Sequence, residues 1–200
     1  MKRTKTDMQR ICVFCGANTG VPAIYREAAV RLGETLARRR IEVVFGGGGI
    51  GLMRVLADAV MGAGGRMIGV IPESLVAKEL AHRGVSDMRV VESMHERKAL
   101  MAELSDGFIA LPGGYGTLEE FCEVLTWTQL GLHGKPCALL NVAGYYDCLL
   151  HLFDHATAEG FLVPANRDLV LVDDDPGRLL ERMQHYHAPT VPKWIGRNET

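Results

Sequence analysis

Short apolar runs alternate along the chain with longer segments in which apolar residues recur at helical spacing. The short runs are continuous rather than alternating in hydrophobicity, which is typical of strands buried on both faces of a parallel sheet. They predict seven strands, at 10–15, 41–45, 66–71, 88–91, 107–111, 136–141 and 169–172. The longer segments predict helices at 22–40, 52–63, 94–104, 118–130, 145–159 and 176–185, and a short helix followed by a loop within 73–83.

The alternation of strand and helix predicts an α/β fold, a single-domain Rossmann-like doubly wound parallel sheet with helices on both faces. No repeat or linker divides the chain. We therefore predict one catalytic domain at 10–187, a flexible N-terminal tail at 1–9 and an irregular C-terminal tail at 188–200. In such sheets, ligands bind outside the carboxyl ends of the strands, near the switch in strand order. We expect four loops at these ends to converge on one crevice, namely 16–20, 46–51, Pro72 and 112–116.

The loop at 112–116 has the features of an anion-binding turn. An apolar strand ends at Pro112, glycines stand at 113, 114 and 116, and a helix follows. Glycine lets the backbone approach a ligand closely, and the free N–H groups and dipole of a helix start favour an anion. We place the helix N-cap at Thr117 and predict that the backbone amides of 113–117 hold a phosphate.

The other glycine-rich turn does not match a nucleotide fingerprint. Gly46, Gly48 and Gly51 fit G-x-G-x-x-G, but the position about twenty residues further on is close to Arg66 rather than to an acidic residue. The sequence G-x-x-x-x-G-K-[ST] does not occur. A dinucleotide redox cofactor and nucleoside triphosphate hydrolysis are therefore disfavoured. A mononucleotide or a sugar phosphate remains as ligand, and we expect no cofactor.

Glu120 has two interpretations. Thr117 and Glu120 have the S/T-x-x-E spacing of a capping box, in which both side chains only satisfy the helix end. Alternatively, a carboxylate close to a phosphate-bound ribose would stabilise positive charge at the anomeric carbon or activate water there. The spacing leaves both open.

Two adjacent cations, Arg97 and Lys98, lie early in the helix at 94–104, where positive charge is unfavourable for the helix dipole. They are either part of a solvated surface, or they recognise an anionic ligand or pair with Glu120. Arginine can bind a phosphate or carboxylate through two parallel hydrogen bonds, whereas lysine is a point charge. Nothing in the sequence supports Lys98 as a Schiff-base lysine.

Composition excludes several classes of function. The net charge of −2 gives no positive field for nucleic acid or an anionic membrane. No segment approaches the roughly 20 apolar residues of a transmembrane helix. Five cysteines in a chain of this size indicate a reducing, cytoplasmic setting. Cys12 and Cys15 have redox-pair spacing but lie in or next to a strand, which disfavours a redox role. His151 and His155 lie one helical turn apart without a third ligand, so we predict no metal.

These motifs resemble those of the LONELY GUY (LOG) family, cytokinin riboside 5'-monophosphate phosphoribohydrolases. PGGYGTLEE at 112–120 matches the family signature PGGxGTxxE, and MHERKALM at 94–101 matches the element M-H-x-R-K-x-x-M. The resemblance runs from about residue 10 to 172, and it includes CVFCGAN, FGGGGIGLM, IGVIPESL, TWTQLGLHGKP and NVAGYYD. Members are often labelled lysine decarboxylases, but no pyridoxal-binding element is visible here.

The resemblance implies hydrolysis of the N-glycosidic bond of a nucleoside 5'-monophosphate, here N6-modified AMP, to the free base and ribose 5-phosphate. It implies that Arg97 and Glu120 are catalytic. It also implies a homodimer with sites near the subunit interface. The substrate contacts that it implies are Glu79, Lys98, Gly114, Tyr115, Gly116, Thr117, Leu118, Glu119 and Thr126. To these we add Gly113 from the anion-binding turn.

Two alternatives stay open: an AMP nucleosidase of broader specificity, and a non-catalytic nucleotide or cofactor carrier on the same fold. The glycine-rich turns fit the phosphoribohydrolase and both of these alternatives. Pairing of Arg97 with Glu120 favours an enzyme, since a carrier has little use for a carboxylate beside its phosphate. We expect the choice of base to depend on side chains such as Met53, Met94 and Trp127.

Overall fold

The computed structural model describes residues 8–76 and 81–188. The predicted contact Glu79 lies outside the described residues, as do 1–7 and 189–200 of the predicted tails. All seven predicted strands are present: β1 Arg10–Phe14, β2 Glu42–Phe45, β3 Met67–Pro72, β4 Asp87–Val91, β5 Gly107–Ala110, β6 Cys137–Leu140 and β7 Val170–Asp173.

Helices connect successive strands. They are α1 Ala23–Arg38, α2 Gly51–Gly62, α3 Glu73–Val76, α4 Met94–Leu104, α5 Tyr115–Gln129, α6 Asp147–Ala158, α7 Pro164–Arg167 and α8 Pro176–Gln184. The pattern did not predict α7, a single turn that begins at Pro164, where the missing N–H is tolerated. The predicted helix at 145–159 starts later, after a 3-10 turn at Val142–Gly144. No helix among the described residues combines the length and apolarity needed to cross a bilayer.

The seven strands form one sheet in the order β4-β3-β2-β1-β5-β6-β7, and all neighbouring strands are parallel. The direction of winding reverses between β1 and β5, where Val13 pairs with Ile109 and Phe14 with Ala110. This is the switch point at which ligands bind in open α/β sheets.

Both faces of the sheet are buried, as the continuous apolar runs predicted. Along β1, Ile11 and Val13 point into one hydrophobic cluster, which also contains residues of α1, α2 and α8. Cys12 and Phe14 point into the opposite cluster, against α4, α5 and α6. The predicted doubly wound α/β fold is confirmed, with helices on both faces of the sheet.

Candidate active site

A cavity of about 530 Å³ opens at the switch point. It is lined by the loop after β1, by Gly46 after β2 and by the segment after β5, together with side chains from four helical regions. Three of the four loops expected to converge do so. The expectation for the fourth was wrong, because Pro72 does not line this cavity; it ends β3, near the sheet edge.

The signature turn, residues 111–117, leads into α5. This helix begins earlier in the chain than the sequence predicted. Gly114 is the N-cap, in an extended conformation, and no side chain caps the helix. The first hydrogen bond of the helix runs from the Leu118 N–H to the Gly114 carbonyl at 3.1 Å. The preceding N–H groups therefore have no carbonyl partner within the helix and are available to a ligand.

Placing the N-cap at Thr117 was wrong, and so is the capping-box interpretation of Thr117 and Glu120. Thr117 is the third residue of α5 and is buried. Its hydroxyl lies against Gly113, where an added Cβ would be only 2.1 Å from Oγ1. Glu120, one turn further along the helix, cannot close a box with a residue that is not the N-cap.

Glu120 instead pairs with Arg97 at the wall of the cavity. Arg97 Nη1 lies 3.3 Å from Glu120 Oε1, and each residue is only 8% exposed. Both residues line the cavity. Of the interpretations of Arg97 that the sequence left open, pairing with Glu120 is confirmed and a solvated surface is wrong.

The guanidinium of Arg97 is held from several sides. Its Nε donates to the Val70 carbonyl of β3 at 3.1 Å. Its Nη2 end lies next to Gly46, where an added Cβ would be 1.9 Å from Nη2. Only glycine leaves room there for the guanidinium, so the glycine-rich turn after β2 has a packing role within the site.

Burial is the main influence on the pKa of the Glu120 carboxyl and raises it. The positive charge of Arg97 lowers the pKa but offsets only part of this increase. A carboxyl with a raised pKa is suited to proton transfer nearer neutral pH. The same burial strengthens its electrostatic effect on any positive charge that forms in the cavity.

Lys98 joins α4 to α5 through ion pairs. It makes an ion pair with Glu119, and its Nζ lies 3.0 Å from Glu123 Oε1. Burial alone would lower the pKa of Lys98, but the hydrogen bonds to these two carboxylates outweigh it and raise the pKa. Within one chain, neither Lys98 nor Glu119 lines the cavity.

Two further predicted contacts also lie outside the cavity of the single chain. Leu118 is half-buried and packs against the core on the α5 side of the sheet. Thr126 is exposed, and its hydroxyl donates to the Cys122 carbonyl at 2.7 Å. The structure thus brings together Arg97, Glu120 and 113–117, and the remaining described contacts lie on α4 and α5 outside the cavity.

Several cavity residues were not assigned from sequence. Asn18 and Thr19 belong to the loop after β1, which was recognised as a strand-end loop but not residue by residue. Tyr25 and Tyr145 also line the cavity. The helical spacing of Tyr25 made it look like a core residue. Tyr145 lies in NVAGYYD, and its hydroxyl donates to the Gly113 carbonyl of the signature turn.

Two pairs of residues have the spacing of a redox site or a metal site. Cys12 and Cys15 are buried, and burial raises the pKa of both thiols, which suppresses the reactive thiolate. His151 and His155 are exposed on α6. Among residues 8–76 and 81–188, no group of three or more His, Cys, Asp or Glu side chains is arranged to hold a metal ion.

Comparison with solved structures agrees on the fold. A molybdenum cofactor binding protein of the phototrophic bacterium Rippkaea orientalis matches with a TM-score of 0.68 at 20% identity, over 90% of this chain and 98% of that chain. The molybdenum cofactor carrier protein of Chlamydomonas reinhardtii matches with a TM-score of 0.65 at 22% identity, over 88% and 96%. At such identity the likeness shows the fold alone.

Sequence comparison identifies the family. The family model described as "Possible lysine decarboxylase" matches residues 53–183. A cytokinin riboside 5'-monophosphate phosphoribohydrolase of Arabidopsis thaliana is 49% identical over 182 residues, which cover 91% of this chain and 85% of that protein. Another from the same plant is 47% identical, covering 93% and 86%. A protein of Oryza sativa subsp. japonica, named as a probable enzyme of this kind, is 52% identical, covering 89% and 78%. The chain therefore belongs to the LONELY GUY (LOG) family.

Proposed function

We propose that this protein hydrolyses the N-glycosidic bond of cytokinin riboside 5'-monophosphates, releasing the free cytokinin base and ribose 5-phosphate. The observation that carries the proposal is the buried pair of Arg97 and Glu120 in a cavity bordered by an open helix N-terminus. The names of the similar plant proteins support it.

The 5'-phosphate binds the amides at the start of α5. An added Cβ at Gly114 or Gly116 would meet no atom of the described chain within 4 Å. Packing within the protein therefore does not require glycine at these two positions. A ligand that approaches the backbone does require it, and the helix dipole favours an anionic ligand.

With the phosphate at the helix start, the ribose lies beside Glu120, which is six residues beyond the N-cap Gly114, about 9 Å along the helix. As the bond between C1' and the base nitrogen breaks, positive charge develops on the sugar, and the Glu120 carboxylate stabilises it. Water then forms the new C1'–O bond. Glu120 accepts the proton that this water loses and then releases it to the base nitrogen, so that Glu120 returns to its ionised form. Arg97 keeps Glu120 oriented and favours its ionised form.

The implied contacts Glu79, Lys98, Leu118, Glu119 and Thr126 complete the site in the proposed homodimer. The described members of this group lie on α4 and α5 outside the cavity of one chain, which is consistent with a site that borders a second subunit. We place the reaction in the cytoplasm, because all five cysteines are free. Water is the only co-reactant that the proposed reaction needs.

A product assay with two nucleotides tests the proposal. Purified protein is incubated with AMP or with N6-isopentenyl-AMP, and free base and ribose 5-phosphate are quantified by chromatography. We expect both products in equal amounts, with faster release from the modified nucleotide. The Glu120→Gln protein, purified in the same way, controls for contaminating nucleosidases. Comparable rates with both nucleotides would support the broader AMP nucleosidase. Base from neither nucleotide would overturn the enzyme and support the carrier.

A further inference from the structure

Three successive carbonyl groups of the signature turn are each held by a donor from another part of the chain. The Tyr146 hydroxyl donates to the Leu111 carbonyl at 2.6 Å, and the Tyr145 hydroxyl donates to the Gly113 carbonyl at 2.5 Å. Between them, the Gly16 N–H donates to the Pro112 carbonyl at 3.1 Å. Each peptide unit at the entry to the turn is thereby fixed in orientation.

The contact of Tyr145 has a direct consequence for an anion. In a trans peptide the C=O and N–H groups point in opposite directions, and the described chain has no cis peptide bond. Holding the Gly113 carbonyl therefore also sets the direction of the Gly114 N–H. In addition, the hydroxyl proton covers a carbonyl oxygen whose partial negative charge would otherwise repel a phosphate near the turn.

The ring of Tyr145 is itself held from two sides. It packs edge-on against Tyr25, with ring centroids 5.7 Å apart, and against Tyr146, with centroids 5.0 Å apart. Edge-to-face contacts of this kind are favourable and restrict the ring. The hydroxyl is thus aimed at the Gly113 carbonyl by packing rather than by chance rotation.

The backbone before the two tyrosines is strained in a way that indicates function. Ala143 has φ +52°, in the left-handed region that non-glycine residues rarely adopt, and Gly144 follows with φ +71°. Asn141 closes this turn: its Oδ1 accepts from the Tyr146 N–H and its Nδ2 donates to Asp147 Oδ1, both at 2.7 Å. Such strain persists where the surroundings over-determine it, which is common at ligand sites.

We propose that Tyr145 is a positioning residue that presets the signature turn for the 5'-phosphate of the substrate. The inference rests on the proposed function in one respect, that the turn binds this phosphate. Tyr146 supports the turn from the interior: it is 1% exposed, and loss of its hydroxyl would leave the buried Leu111 carbonyl without its donor. Tyr145, which lines the cavity, is therefore the informative residue to change.

The test compares Tyr145→Phe with Tyr186→Phe. Both variants keep the aromatic ring, but Tyr186 does not line the cavity, and its buried hydroxyl makes no hydrogen bond in the described part of the chain. Titration calorimetry measures the Kd of AMP and of ribose 5-phosphate, and steady-state assays give KM and kcat. We expect Tyr145→Phe to weaken both ligands equally, by about 10-fold, with KM raised and kcat little changed. Tyr186→Phe should retain wild-type Kd values for both ligands.

Three results would overturn the inference. The first is an unchanged Kd in Tyr145→Phe. The second is a loss of affinity for AMP alone, which would place the effect at the base, and the third is a fall in kcat with KM unchanged. If the wild-type protein binds both ligands but releases no base, the proposed function fails while the Kd comparison still decides the role of Tyr145. If the wild-type protein binds neither ligand, both proposals fail.

Discussion

At the scale of single residues, the site depends on how closely Arg97 is surrounded. A buried guanidinium needs a counter-charge and hydrogen-bond acceptors, since desolvation of an unpaired charge costs several kcal/mol. Glu120 supplies the charge, and the Val70 carbonyl supplies a second acceptor. Gly46 leaves the space in which the guanidinium lies. A change at Gly46 or at Val70 should therefore displace the guanidinium that orients Glu120.

Gly46→Ala should therefore impair catalysis more than stability. The new Cβ would lie 1.9 Å from Arg97 Nη2 and displace the guanidinium. Because misplacement by about 1 Å can lower a rate by roughly 100-fold, we expect base release to fall by about 10- to 100-fold. The matched control is Gly62→Ala in α2, where a Cβ meets no described atom within 4 Å. That control should retain full activity and gain up to about 1 kcal/mol of stability. Wild-type turnover by Gly46→Ala would contradict this account.

The pH dependence of turnover should report the environment of Glu120. Burial raises the pKa of its carboxyl, and Arg97 offsets this only in part. Since the ionised form is the active one, kcat at saturating nucleotide should fall as the pH decreases. The midpoint should lie above 4.5, the ordinary value for this group. Circular dichroism at each pH verifies that the protein remains folded. A midpoint at or below 4.5 would show that Glu120 is not the group that titrates.

At the scale of elements, two helix starts near the site are built differently. At α4, the Ser93 hydroxyl accepts from the Glu96 N–H at 3.1 Å, and the Glu96 carboxylate accepts from the Glu92 N–H at 2.8 Å. At α5, Gly114 offers no side-chain cap. The helix that carries Arg97 is thus capped by protein side chains. The N-terminal amides of the helix that carries Glu120 have no side-chain cap and can bind a ligand.

Capping α5 from within the protein should compete with the nucleotide. Gly114→Asp places a carboxylate where the phosphate is proposed to bind, and the conformation of Gly114 suits an N-cap residue. We expect equal or slightly higher Tm in the absence of ligand, together with a KM raised by more than about 10-fold, since the charges repel. Gly114→Asn, which caps without a charge, is the control and should lose less affinity. Unchanged KM in Gly114→Asp would rule out the phosphate position.

The elements themselves were largely predictable, because strands buried on both faces are continuous apolar runs and the helices between them keep their spacing. The start of α5 was not predictable from the sequence. The S/T-x-x-E spacing of Thr117 and Glu120 also occurs inside helices, and glycine at 116 argues against a helix there. A contact distant in sequence holds the turn before the helix, because the Tyr145 hydroxyl donates to the Gly113 carbonyl. The contact of Gly46 with Arg97 was unpredictable for the same reason.

At the scale of the whole molecule, the strand order brings the two charged residues together. Strand β4 lies at one edge of the sheet, and three strands separate it from β5. The connection through α4 must therefore cross the face of the sheet to reach the far side of β1. This crossing places Arg97 against the ends of β2 and β3 and beside Glu120 of α5. The motifs suggested the pairing, but only the strand order explains it.

The proposed assembly has its own test. Because the described contacts Lys98, Leu118, Glu119 and Thr126 lie outside the cavity of one chain, we expect a homodimer that brings them to the site. Light scattering after size exclusion should give the mass of two chains, and specific activity should fall on dilution below the dimer dissociation constant. A mass of one chain at full activity would exclude a shared site.

The central claim is that Glu120 acts on the sugar of a nucleotide held by its phosphate, and Glu120→Gln tests it most directly. The substitution keeps the shape of the side chain and removes its charge. With N6-isopentenyl-AMP, we expect kcat for base release to fall roughly 100- to 1000-fold, while the Kd for the nucleotide stays near the wild-type value. The Tm should fall, because the buried Arg97 loses its counter-charge, so circular dichroism verifies that the variant is folded at the assay temperature. Base release at close to the wild-type rate would contradict the account.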